Sequence, residues 1–125
     1  MPPFLKLPTC LLKPLFWLLV VLTTFLMLIE LKPQAAGWIY ADKLQHIIIF
    51  IILASSGFSA YFHKRWLVTS GLIFFGLAIE GLQSAFTLTR QASVADWIAD
   101  VVGVTIAIGI VAIINKIKSN PFQIR

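Results

Sequence analysis

Asp42, Lys43 and His46 open one apolar run of this chain, Glu80 and Gln83 close the next, and Asp96 and Asp100 open the last, with Arg90 in the loop before it. Asp42 and His46 are four residues apart, as are Asp96 and Asp100, while Glu80 and Gln83 are three apart. On a helix each pair shares a face. Ionisable groups held at the ends of hydrocarbon-rich segments are functional-site candidates by default, because an unpaired charge there is costly.

A histidine among carboxylates can take up and release a proton near neutral pH, so His46 is a candidate acid or base. Ser84 or Ser93 could complete a serine, histidine, carboxylate set, although neither occupies a recognisable nucleophile turn. Lys43 and Arg90 suit anionic groups, with Glu80, Gln83, Asp96 and Asp100 accepting hydrogen bonds or orienting a ligand. A salt-bridged clamp without a ligand would use the same residues. Capping at helix N-termini is by itself an adequate role for Asp42 and Asp96. Glu80, read at a helix C-terminus, opposes the helix dipole and so calls for a cation or a ligand. One histidine with no fixed ligand spacing gives no metal signature, and the single Cys10 permits neither an internal disulfide nor a cysteine site. Neither a metal nor a cofactor is expected.

The elements that must position these residues follow from composition. Of 125 residues, 59% are hydrophobic and 12% charged, far from the balance of a soluble domain. Four runs approach the length a helix needs to cross a bilayer: 15–31, 44–62, 66–83 and 97–114. They predict an all-α, integral membrane four-helix bundle forming one domain over 1–125. The first run resembles a signal peptide in its basic flank, but it is long, and Glu30, Lys32 and Pro33 replace the small residues of a cleavage site, so it is read as the first span. Pro14 would occupy the first turn of that helix.

Lys6, Lys13, Lys64, Arg65, Lys116, Lys118 and Arg125 fall on one side of the spans, against Lys32, Lys43 and Arg90 on the other. The positive-inside rule then places both termini in the cytoplasm and the polar cluster outside. The basic residues form no stripe, so the excess charge reads as topology and anionic-lipid contact, with no nucleic-acid partner. The short connection around Lys64 predicts a tight helical hairpin, with Trp66 at the interface. Ala99, Gly103 and Ala107 form a small-residue packing stripe.

Taken in order, Asp42-Lys43-x-x-His46-x-x-x-Phe50-x-x-Leu53, Glu80-x-x-Gln83, Arg90 and Asp96-x-x-x-Asp100-x-x-Gly103 resemble the VanZ-like family of small bacterial membrane proteins. The resemblance covers the second to fourth spans; the first contributes no motif. Many members have asparagine or a related polar residue where this chain has Asp100, and an aromatic hydroxyl where it has Phe50. The family is named for a protein associated with resistance to teicoplanin, a lipid-tailed glycopeptide. The resemblance implies a multi-pass protein of the bacterial inner membrane, with membrane lipids as partners; the leading expectation is that its polar cluster binds or shields a lipid-linked or lipoglycopeptide envelope ligand. An intramembrane enzyme using His46 is the competing expectation, with a non-enzymatic role preferred. A subunit of a proton or solute pathway is the third, and at four helices that would require a homo-oligomer.

Overall fold

The computed structural model describes residues 7–29, 41–86 and 93–120, which are almost entirely helical. The helices are α1 (Thr9–Leu28), α2 (Ala41–Ala60), α3 (Arg65–Phe86) and α4 (Val94–Ser119). A single 3₁₀ turn at Phe62–Lys64 joins α2 to α3, giving the tight hairpin expected there. No strand occurs among the described residues.

Every helix starts before its predicted span, and α3 and α4 also run past it, because apolar runs mark the hydrocarbon stretch while helices continue into polar flanks; α1 and α2 instead stop short of the predicted ends at 31 and 62. α1 starts after Pro8, whose carbonyl accepts from Leu11 N–H at 2.9 Å, so Pro14 lies inside the helix and not in its first turn. Its missing N–H removes one bond to the preceding turn, a loss that neighbouring helices accommodate in membrane-type bundles. α3 runs to Phe86, placing Glu80 more than a turn inside the helix. The dipole argument applied to Glu80 at a C-terminus therefore does not hold; burial is what demands a partner. At α4 the cap is Ser93, whose Oγ accepts from Asp96 N–H at 3.3 Å, so Asp96 sits in the first turn and is not itself the cap. Asp42 likewise lies within the first turn of α2, where a negative charge still complements the helix dipole.

α2 packs most extensively against α4, with α1 on α2 and α3 on α4 as the next contacts. The common core joins Phe50, Leu53, Ala54 and Phe58 of α2 to Val104, Ala107 and Val111 of α4, with Val68 and Leu72 of α3 and Phe16 of α1 closing it. Gly103 makes the α2–α4 approach possible. A Cβ there would stand 2.6 Å from the Ile47 carbonyl oxygen and 2.8 Å from Phe50 Cβ.

Polarity is inverted relative to a water-soluble bundle. His46, Glu80, Gln83, Asp96 and Asp100 are buried, while Trp17, Phe25, Trp66 and Phe74 stand outside, Phe74 at 70% exposure. An aqueous surface would leave this apolar exterior unfavourably solvated, whereas lipid would solvate it. All four helices are long and apolar enough to cross a membrane.

Candidate functional site

The N-terminal end of α2, the C-terminal half of α3 and the N-terminal end of α4 meet at one end of the bundle, and the chemistry-bearing residues meet there. His46 Nδ1 lies 2.7 Å from Asp100 Oδ1, with the two side chains 1% and 0% exposed. The imidazole and the carboxyl share this short contact, and Nε2 points away from it. Glu80 Oε2 accepts from the backbone N–H of Ser93 at 2.9 Å, tying α3 to the start of α4. At the rim, Lys43 Nζ reaches Asp96 Oδ1 at 3.3 Å, and the lysine side chain remains 38% exposed.

The bonds use one end of each buried group and leave the other. His46 Nε2, Glu80 Oε1 and Asp100 Oδ2 are all buried with no hydrogen-bond partner among the described residues. Buried polar atoms are almost always satisfied, so three in one cluster require an explanation. Gly76 lies against the same group, and a Cβ on it would come within 2.7 Å of Asp100 Oδ2. The α3 backbone thus approaches the carboxylate where any side chain would obstruct it.

One ligand-type atom each from His46, Glu80 and Asp100 lies within 4.8 Å of the other two, and the same holds for Asp42, His46 and Asp96. His46 belongs to both sets and stands between four carboxylates. Arg90 lies outside the described residues. Gln83 is buried, and its Nε2 donates to the Met27 carbonyl oxygen of α1 at 2.7 Å, so one of its bonds secures α1 to the polar end.

Other contacts of this end are not marked by the sequence reading. Ser93 was weighed as a nucleophile, yet it caps α4 through Oγ and holds Glu80 through its N–H. The Ser93-x-x-Asp96 spacing is a capping pattern and could have signalled that role. Trp97 Nε1 donates to the Ile73 carbonyl oxygen at 3.1 Å, a link between α3 and α4 that sequence pattern does not mark. Ser84 is exposed near the end of α3. No described hydroxyl is hydrogen-bonded to His46, and the arrangement is a histidine–carboxylate centre suited to holding a proton, a cation or a polar ligand group.

No protein-family model, curated protein or solved structure matches this chain.

Proposed function

We propose that this is a multi-pass membrane protein of VanZ-like type in the bacterial inner membrane, whose polar end, facing outward, receives the polar group of a lipid-linked or lipoglycopeptide envelope ligand. The observation that carries this reading is the set of three unpartnered atoms on His46, Glu80 and Asp100, buried beneath a rim where Lys43 is still reachable. Lys43 meets anionic substituents at the rim, Arg90 supplies a second cation from the loop, and the buried trio takes up a hydroxyl or amide group. The inverted polarity supports membrane residence, and the distribution of basic residues supports cytoplasmic termini.

A second reading is favoured by one feature, the orientation of His46 by Asp100. That pairing leaves a free Nε2, as in sites where a carboxylate positions an imidazole for proton transfer. Acid–base chemistry on a bound envelope ligand would use the same centre.

Expression in a teicoplanin-susceptible bacterial host tests the main reading. Wild-type protein should lower susceptibility, and Glu80→Gln and His46→Ala should abolish that effect at unchanged membrane abundance. Loss of effect only in proportion to lost protein would identify a structural clamp and overturn the ligand reading. Orientation is tested on a Cys10→Ser background with cysteine placed at Lys64. Labelling of intact cells by a membrane-impermeant reagent at that position would reverse the assigned topology.

A further inference from the structure

We infer that His46, Glu80 and Asp100 form a binding site for one divalent transition-metal ion of the zinc or manganese class. The inference rests on the site just proposed and deepens it, since the ion would be what presents a coordinating surface to the ligand.

The first observation is the donor set. One nitrogen and two carboxylate oxygens, from three different helical positions, lie within 4.8 Å of one another. A tetrahedral or five-coordinate ion with bonds of about 2.0–2.2 Å needs its donors roughly 3–3.5 Å apart. Small rotations of Glu80 and Asp100 close that difference. Imidazole with carboxylate suits zinc, manganese or ferrous iron, whereas magnesium and calcium prefer oxygen alone.

The second observation is independent of the acidic cluster as such: Glu80 Oε1 and Asp100 Oδ2 are buried without a hydrogen-bond partner, and His46 Nδ1, already 2.7 Å from Asp100, is the ring nitrogen that an ion between them would meet. The other oxygen of Glu80 accepts from Ser93 N–H, the kind of support that holds a metal ligand in orientation. Gly76 lets the α3 backbone pack against the Asp100 carboxylate, on the helix that carries Glu80.

Charge balance points the same way. Asp42, Glu80, Asp96 and Asp100 surround the imidazole, and Lys43 is already engaged with Asp96. The buried trio alone sets two carboxyl groups against one imidazole, an excess of acidic groups. A divalent cation removes that excess in a region where net charge is costly.

The test uses the full chain purified in detergent, stripped with chelator and titrated with Zn²⁺ or with Co²⁺ as its spectroscopic substitute. Wild-type protein should bind about one ion per chain in a low-symmetry nitrogen and oxygen environment. His46→Ala and Glu80→Gln should weaken binding at least about a hundredfold, the upper end of what changes in supporting residues cause. His63→Ala should leave it unchanged, because that imidazole lies in the turn at the opposite end. If the variants do not fold, X-ray absorption at zinc bound to the unaltered protein decides: one imidazole with oxygen ligands supports the site, and sulfur or two imidazoles overturns it. Wild-type protein that binds no ion, or binds it equally without His46, also overturns the inference. Should it do so while Glu80→Gln and His46→Ala still abolish the teicoplanin effect at normal abundance, the ligand reading stands and the metal alone is lost. Metal binding with no effect on susceptibility gives the reverse result.

Discussion

The two ends of this bundle solve opposite problems with similar residue types. At the polar end, His46, Glu80, Asp96 and Asp100 are buried, and charges are held by partners distant in sequence. At the other end Lys13 stands over the Tyr61 ring at 5.2 Å, Arg65 stacks on Phe62 at 4.4 Å, and Trp17 Nε1 donates to Tyr61 Oη at 2.9 Å. His63 and Lys64 are exposed there. A cavity of about 500 Å³ between α1 and α3 opens beside Lys64 and is walled by Phe16, Trp17, Leu72 and Phe75. Buried carboxylates impose geometry on the helices that carry them, because moving away strands a charge. Lys13 and Lys64, exposed cations on long side chains, impose almost none, although Arg65 Nε and Nη2 are buried there.

The comparison is broken most directly at Asp100. Replacing it with Ala leaves His46 Nδ1 buried without its acceptor and should lower unfolding free energy by about 3 kcal/mol, at the upper end for a stranded buried group. Replacing His46 and Asp100 together by Leu should cost less than either single change, since no polar atom of the pair is then stranded. Denaturation in mixed micelles measures the cycle, and strictly additive losses would show that the pair is not coupled.

Glycines give the next contrast. Gly103→Ala drives a Cβ against the Ile47 carbonyl and Phe50, and the backbone oxygen cannot turn aside as a flexible side chain could. A loss of about 2 kcal/mol is expected from such overpacking. Gly71 borders the cavity at the basic end, and a Cβ there meets nothing within 4 Å. Gly71→Ala should therefore raise stability by up to about 1 kcal/mol through helix propensity alone. Equal effects at the two glycines would refute the difference in packing between the ends.

How much of this was legible in the sequence depends on the kind of information each feature needs. The convergence of Asp42, His46, Glu80, Asp96 and Asp100 follows from three antiparallel spans with polar residues near the same ends, which order and length already encode. The tight hairpin before α3 was readable for the same reason. The pairing of His46 with Asp100 was not. Spacing reveals which residues share a face of one helix, as Asp42 and His46 do, but partnership across helices depends on the rotational phase of α2 against α4. Gly103 contributes to that phase through a backbone contact that hydrophobic pattern does not register. The C-terminal ends of α3 and α4 were underestimated because hydropathy fades before hydrogen bonding does, which is how Glu80 was misplaced at a terminus. Ser93 carried a legible capping signal that was passed over in favour of its hydroxyl chemistry.

That cap sets a smaller test of the polar end. Ser93→Ala removes the acceptor for Asp96 N–H and keeps the backbone N–H that binds Glu80. Stability should fall by about 1 kcal/mol, as for other N-caps, with the metal titration unchanged. A lost titration at that small cost would instead assign Ser93 Oγ to the site.

The smallest effect is expected at the basic end. Lys13→Gln and Lys64→Gln remove cations that are exposed; Lys64→Gln forfeits little more than a screened surface interaction and should change stability by no more than about 0.5 kcal/mol. The Lys13 contact with Tyr61 adds a cation–π term of about 0.5–1 kcal/mol at most for an exposed ring. Their consequence should appear in orientation, because removing positive charge from the Lys13 and Lys64 side weakens the charge bias on which the proposed topology rests. Combining both changes with an added Lys beside Lys43 should therefore give a measurable fraction of inverted molecules by cysteine labelling, with the folded fraction maintained. A large loss of stability from either single change would mean that the basic end holds its helices as tightly as the buried carboxylates hold theirs, and the contrast between the two ends would fail.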